Sequence, residues 1–376
     1  MIWLWAIKIL AFLYFLMGVF LLLGTFLRQR RFIVPSNTDV TIILAARDEE
    51  ANLPAFLESL LRLSFDKTHL QVILVDDRSS DRTGEIFDKM ASRFSHIQAL
   101  HISKIDNYLS GKENAIHKAM EMASGDFILL TDADCVLQEH WVENMLAYFD
   151  DNTGIVCGQT HLASRHGMHT LWEGVQALDW AYLLTAAAGA TGLKQPSSCI
   201  GNNMALRKKV YFQVGGYPHI GFSVTEDFAL IHQVCEQTDW NIRFPIHPET
   251  TVISYPEPTL KDFFHQRKRW VVGGKTVRIF ALVLMLVSFL NHLLLPFALF
   301  LPGLNAAATL GFLLIFSVDF ALIVRTLIPN RKLFLLAFFP FFEIFYFLYT
   351  TVFALFAFSN SVHWKNDHYT GNLKRT

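Results

Sequence analysis

Residues 2–27 form an apolar run whose single charge is Lys8, and three more apolar runs follow near 279–301, 306–327 and 333–358. Each has about the length that a bilayer core of roughly 30 Å demands of a helix. A chain with such ends must place part of itself in lipid. Mean hydropathy is positive, +0.31, and 34 of the 376 residues are Phe, a share that a soluble domain rarely carries. A cleaved signal peptide is the rival reading of the first run. Its basic lead is weak, its apolar run is too long and no small-residue cleavage site follows, so an anchor is expected.

The flanking charges give an orientation. Arg28, Arg30 and Arg31 follow the first run directly, and the positive-inside rule places them in the cytoplasm. Lys268, Arg269, Lys275 and Arg278 precede the second run, and Arg325, Arg331 and Lys332 lie between the third and fourth, which puts both flanks on that same side. The fourth run then carries Lys365, Lys374 and Arg375 outside, so either the tail departs from the rule or one run is interfacial or re-entrant. Asp319, Glu343 and His292 lie inside these runs, where they are costly in lipid and are expected to face protein or a polar cavity.

Composition also excludes some classes. With a formal net charge of −1 and no sustained basic face, the chain offers nothing to a nucleic acid. Cys135, Cys157, Cys199 and Cys235 lie far apart without a CxxC pair, which fits reduced thiols rather than a zinc site or a disulfide framework. His161, His166 and His169 are spaced too irregularly to suggest a metal site.

Between the ends, strand and helix signals alternate. Residues 40–46, 71–75, 97–102 and 127–130 read as strands, and 52–63, a stretch from Ser80 or Asp81 to about Arg93, and 112–123 read as helices. Alternation of this kind predicts an α/β fold with a mostly parallel sheet flanked by helices, in which ligands bind beyond the carboxyl ends of the strands. The first strand ends in Ala45, Ala46, Arg47, Asp48, Glu49 and Glu50, and the second in Asp76 and Asp77 followed by Arg78, Ser79, Ser80 and Asp81. An acidic pair in that position can accept hydrogen bonds from a base and a ribose. Ser79, Ser80 and Asp81 read equally well as a turn and helix cap. Gly111-Lys112 opens a helix after a polar loop, putting a cation and a helix N-terminus where a diphosphate would bind.

Asp132-Ala133-Asp134 follows the buried strand 127–130 directly. Two carboxylates one residue apart repel unless a cation sits between them, and hard oxygen donors suit Mg²⁺ or Mn²⁺, either of which can bridge the phosphates of a nucleotide diphosphate. The plainer alternative is a solvated acidic turn. Thr225-Glu226-Asp227 precedes an apolar helical stretch and reads either as a cap or as a source of a base. In Gln266-Arg267-Lys268-Arg269-Trp270, helical spacing puts Gln266, Arg269 and Trp270 on one face. An amide, a guanidinium and an indole together suit phosphate and sugar, although a juxtamembrane headgroup anchor uses the same residues. Trp172, Trp180 and Tyr182 recur on a helix-like stretch expected to pack on the sheet or rest at the interface.

Taken in order, the strand-end acidic pair, the GK loop, DAD, TED and QRKRW resemble the family 2 inverting glycosyltransferases of GT-A fold. The resemblance covers roughly residues 40–270, and is to the membrane branch that holds polysaccharide synthases and ceramide glucosyltransferase-like enzymes. It implies Asp76 or Asp77 at the base, Asp132 and Asp134 as the metal pair, and Asp227 as catalytic base. Gln266, Arg269 and Trp270 match QxxRW, with roles in diphosphate binding and at the acceptor site. Ala45, Arg47, Glu49, Lys112 and Asp132 complete the expected nucleotide-sugar contacts. Residues 198–203 match the segment beside the acceptor more loosely, and Arg78 stands where many members have Gly.

The resemblance implies a UDP-sugar donor, a lipid or glycan acceptor at the membrane and a divalent cation. The expected organisation is an anchor over 1–31, a cytoplasmic GT-A domain over 32–275, about three spans over 276–360 and a polar tail over 361–376, in a multi-pass protein of the cytoplasmic membrane. A single transfer to a lipid is favoured, with a processive polysaccharide synthase as the alternative and a non-catalytic nucleotide-sugar-binding scaffold as the lesser one. Sugar identity rests on loop contacts that motifs do not resolve.

Overall fold

The structure is a computed structural model that describes residues 2–104, 109, 111–273 and 278–354, and the backbone alone of 361–364, 367–370 and 374–375. Lys275 and Lys365 lie outside the described residues, as do the side chains of Lys374 and Arg375. The chain opens with α1 (Ile2–Gly24), β1 (Val40–Ala46), α2 (Leu53–Leu61), β2 (Leu70–Asp77), α3 (Thr83–Arg93), β3 (Ile97–Ile102), α4 (Gly111–Met122) and β4 (Phe127–Thr131). There follow α5 (Trp141–Leu146), β5 (Thr153–Cys157), β6 (Thr160–Leu162), α6 (Leu171–Gly192), β7 (Asn203–Arg207), α7 (Lys208–Gln213), α8 (Gly216–Ile220), α9 (Glu226–Gln237), β8 (Asn241–Arg243) and β9 (Val252–Ser254). The last helices are α10 (Leu260–Gly273), α11 (Ile279–Leu299), α12 (Asn305–Leu327) and α13 (Phe339–Ala354), the last preceded by a 3₁₀ turn over Leu333–Phe338.

Two compact units result. A sheet unit comprises Arg28–His161 and Ser198–Tyr255, and a helical unit comprises Met1–Leu27, Leu162–Ser197 and Pro256–Thr376.

In the sheet unit, seven strands run in the order β3-β2-β1-β4-β7-β5-β8. The β3-β2-β1-β4 half is parallel throughout, with Ile42 beside Val72 and Leu129, and β7 is inserted antiparallel to both β4 and β5. β1 reads VTIILAA, rich in the branched residues that fit a pleated surface. Ile42, Leu44, Val72 and Leu74 enter a core with Phe56, Phe87 and Trp141. Ile43, Ile73 and Val75 point to the opposite face and are equally buried, where α4 packs on β1 and β2. Burial on both faces explains the continuous apolar strands.

Among the described residues, the helical unit holds four helices long and apolar enough to cross a membrane: α1, α11, α12 and the stretch Leu333–Ala354. At about 1.5 Å per residue each reaches roughly 30 Å or more. α6 packs among α1, α12 and α13 and is buried along most of its length. This corrects the expectation for Trp172, Trp180 and Tyr182: Trp172 meets Phe263 and Phe345, Trp180 meets Trp270, and Tyr182 meets Tyr346, all within the helical unit. Small residues make the contact possible. A Cβ on Gly189 would collide with the carbonyl of Leu21, and one on Gly192 with that of Gly24, so α1 and α6 touch backbone to backbone. At the end of α12, Arg325 donates to Thr25 just past α1 (3.0 Å), so the C-terminal ends of α1 and α12 lie together.

Candidate active site

Parallel register sets the strand ends side by side. Ala46 lies beside Asp76 and Leu44 beside Thr131, so the segments after β1, β2 and β4 emerge along one edge of the sheet. The residues after β1 and β2 are laced to each other. Ser79 Oγ accepts from the Asp48 N–H (3.0 Å), Thr83 Oγ1 from the Glu49 N–H (2.9 Å), and Asp81 from the Glu50 N–H (2.9 Å). In return Asp48 accepts from the Ser80 N–H (2.7 Å) and hydroxyl (3.0 Å). The Ser80 bonds, led by its N–H, hold the Asp48 carboxyl below its ordinary range. The capping expected of Ser79 and Ser80 is therefore not what they do. Arg82 is the N-cap and makes no side-chain cap, and only Asp81 reaches the helix start, accepting from the Thr83 N–H (2.9 Å).

β2 extends two residues past the expected end, so Asp76 and Asp77 are strand residues and point to opposite faces. Asp76 accepts from the Ser79 N–H (3.0 Å) and meets His101 Nδ1 (3.1 Å), whose Nε2 meets Asp88 (2.9 Å). Those bonds, Asp88 first and Asp76 next, raise the His101 imidazolium above its usual range. Asp77 is almost fully buried and grips Arg78 through Nε (2.8 Å) and Nη2 (3.1 Å). Arg78 itself has φ of 59°, in the region that favours glycine, which accounts for the Gly of the motif it replaces. Gly111 is required opposite: a Cβ there would strike Asp77 Oδ2.

Around Lys112 the chain gathers its charges. Its ammonium stands 2.9 Å from Asp132 and 2.8 Å from Glu226. Burial pulls the Lys112 ammonium down, but Asp132 and Glu226 more than reverse this and hold it above its ordinary value. Asp134 accepts from the Ser254 hydroxyl (2.7 Å), and burial, then the charge of Asp132, raises its carboxyl. Asp227 lies in the first turn of α9, accepting from the Gly201 N–H (2.6 Å) and the Phe228 N–H (2.7 Å). Burial, then Glu226, pushes the Asp227 carboxyl up to about 6, against the pull of Lys112 and the two N–H groups. Thus Lys112, Asp132 and the TED segment form one cluster, with residues 198–203 supplying an N–H to Asp227. Among the described residues no group of three or more His, Cys, Asp or Glu is arranged to hold a metal alone. Asp132 and Asp134 offer hard oxygen donors for part of a coordination shell.

Gln266, Arg269 and Trp270 lie on α10 in the helical unit. Gln266 Nε2 donates to Glu257 (2.7 Å), and Trp270 packs on Trp180 at 5.7 Å between centroids. The residue sequence reasoning missed is Arg267. Fully buried, it donates to the equally buried Asp179 of α6 (2.5 Å) and lies 4.0 Å from the ring centroid of Trp270 and 4.7 Å from that of Phe263. Its spacing to Phe263 and Trp270 marks the inner face of the helix. Glu226 and Ser254 were also missed: Glu226 stood inside a recognised motif, but nothing in the sequence announces Ser254.

Residues 41–215 match the family model described as Glycosyl transferase family 2. Over 246 residues the chain is 26% identical to the probable glycosyltransferase YdaM of Bacillus subtilis, covering 63% of this chain and 56% of that one. Over 236 residues it is 24% identical to beta-monoglucosyldiacylglycerol synthase of Trichormus variabilis, covering 62% and 48%. The chain spans about half the length of these curated relatives. Among solved structures, the mannosyltransferase PcManGT from Pyrobaculum calidifontis, in complex with GDP-Man and Mn²⁺, matches with a TM-score of 0.56 at 16% identity, over 94% of this chain and 99% of that one. That likeness is one of fold, and it agrees with the mostly parallel sheet expected from the strand pattern and with the GT-A architecture that the motif resemblance implies.

Proposed function

We propose that this chain, which carries a glycosyl transferase family 2 domain, is a membrane-bound inverting glycosyltransferase moving a sugar from a UDP-sugar to a lipid acceptor. The observation that carries the reading is the Lys112 cluster, in which one cation joins the DAD carboxylate Asp132 to Glu226, the neighbour of Asp227. A cation beside a strand-end carboxylate pair suits a diphosphate, and a carboxyl raised to about 6 is poised to take a proton near neutral pH.

In this reading Asp227 removes the proton of an acceptor hydroxyl, whose oxygen bonds to the anomeric carbon as the bond to the diphosphate breaks on the opposite side, inverting the configuration. Lys112 exchanges its carboxylate partners for the diphosphate as charge develops there. Asp132 and Asp134 would hold a divalent cation, Mg²⁺ or Mn²⁺, which supplies further neutralisation of the leaving diphosphate. Two carboxylates are the number expected when the substrate's phosphates and water complete the shell. The nucleotide falls to Ala45, Arg47, Glu49, Asp76 and Asp77. Family pattern assigns Gln266, Arg269 and Trp270 to diphosphate and acceptor.

A lipid acceptor is supported by the four membrane-length helices and by a relative whose name specifies glucosyldiacylglycerol synthesis. Arg28, Arg30, Arg31, Arg325, Arg331 and Lys332 flank helix ends that lie together, which supports a cytoplasmic catalytic domain in the cytoplasmic membrane. The test is transfer by the purified full chain with and without a chelator. Loss of transfer on chelation and recovery with Mg²⁺ or Mn²⁺ is expected, and undiminished turnover without metal would sink the assignment of Asp132 and Asp134.

A further inference from the structure

Inside the helical unit, neighbouring side chains of α6 reach the motif helix α10. Asp179, fully buried, accepts from Nη2 of the equally buried Arg267 (2.5 Å). The next residue, Trp180, packs on Trp270 with 5.7 Å between ring centroids and 57° between ring planes. Arg267 and Trp270 lie three residues apart on α10 and so share a face. The guanidinium carbon of Arg267 stands 4.0 Å from the centroid of the Trp270 ring and 4.7 Å from that of Phe263, one turn earlier. The Trp270 indole is thus met by a cation of its own helix and by an aromatic ring of α6. Gln176 of α6 binds both backbone polar groups of Glu257, accepting from its N–H (2.9 Å) and donating to its carbonyl (3.0 Å), and the Glu257 carboxylate accepts from Gln266 (2.7 Å). Through Glu257 and Arg267, α6 therefore acts on both Gln266 and Trp270 of QxxRW.

Stability alone does not account for the Arg267–Asp179 pair. A guanidinium and a carboxylate favour two parallel hydrogen bonds in one plane. Here one Nη2–Oδ2 bond forms, and Nε and Nη1 of Arg267 and Oδ1 of Asp179 have no hydrogen-bond partner among the described residues. A buried pair of this kind holds a fold together no better than apolar residues of similar volume. What the arrangement provides is a guanidinium anchored at one nitrogen, with its charge set over an indole, the best aromatic partner for a cation. An indole fixed in this way offers one defined plane, and a group stacking on it does not have to order it first.

We propose that Arg267 is a positioning residue: held by Asp179, it fixes the indole plane of Trp270 against which the acceptor packs. The inference rests on the transferase reading, in which the motif serves diphosphate and acceptor. Of these two, a flat apolar face suits the acceptor's hydrocarbon rather than a charged diphosphate. Because Arg267 acts through Trp270, its loss falls on the acceptor and not on the nucleotide.

The experiment uses the full chain in nanodiscs containing dioleoylglycerol, with Mg²⁺ or Mn²⁺ and radiolabelled UDP-glucose, UDP-galactose or UDP-N-acetylglucosamine, wild type beside Arg267→Lys. Lysine keeps a charge for Asp179 but has no planar group to lie over the ring. KM for dioleoylglycerol is expected to rise by about tenfold, the factor to which a desolvated cation–π contact corresponds, while UDP affinity measured by calorimetry stays the same. A merely structural role would lower the active fraction, and with it kcat, without moving that KM. An unmoved KM for dioleoylglycerol, or a loss of UDP affinity as large as the loss of kcat/KM, overturns the proposal. Should Arg267→Lys fail to fold, the same measurements on Asp179→Leu with Arg267→Met, an apolar replacement of the pair, decide by the same outcomes. Absence of transfer by the wild type from all three sugars removes the transferase reading and this proposal with it. An active wild type with an unmoved variant removes the proposal alone.

Discussion

Lys112 stands between Asp132 and Glu226, and its charge also pulls the Asp227 carboxyl down. Two expectations follow for the pH dependence of kcat. With Asp227 as the proposed base, activity is expected to rise with pH through about 6, where its carboxyl ionises, and to be lost below. In Lys112→Met the residual activity has its acid limb at higher pH, because the positive charge favouring the carboxylate is gone; an unmoved limb would separate Lys112 from the base. Asp227→Asn is expected to lower kcat by roughly 10²–10⁴-fold while nucleotide binding, followed by calorimetry, persists. Asp132 was legible from a motif at a strand end and Asp227 from one at a helix start, whereas Glu226 inside that second motif was passed over. Arg267 and Ser254 were not legible, since their significance lies in what the fold brings opposite them, Asp179 and Asp134.

Among the elements, α6 departs most from what its sequence suggests. Asp179 and Gln176 interrupt its apolar pattern, yet Asp179 is neutralised by Arg267 and Gln176 bonds the Glu257 backbone (3.0 Å), so the helix is buried among the apolar helices despite them. Removing one partner leaves a buried charge: Asp179→Asn is expected to cost about 3–5 kcal/mol, while Asp179→Leu with Arg267→Met recovers most of it. Thermal unfolding of both variants checks this, and a neutral single variant would contradict it. The Gly189 contact gives a second test, since Gly189→Val forces the α1 and α6 backbones apart and is expected to lower Tm by several degrees. The strands of the parallel half were readable to within two residues because burial on both faces makes them continuous apolar runs. The antiparallel insertion of β7 was not, because strand direction is set by connections and pairing rather than by residue pattern.

For the whole molecule, composition and the four apolar runs foretold a chain divided between sheet and membrane-length helices. They did not foretell that each unit is assembled from separated stretches of chain, since compactness depends on contacts between distant segments. The central claim is that such a molecule transfers sugar to a lipid. Its most direct test is incubation of purified full-length protein in nanodiscs with radiolabelled UDP-sugars, a diacylglycerol-type lipid and Mg²⁺ or Mn²⁺, followed by solvent extraction. Label is expected in the lipid fraction for the wild type and not for Asp227→Asn. Label in a polymer fraction instead, equal labelling by Asp227→Asn, or no incorporation from any nucleotide-sugar would contradict it.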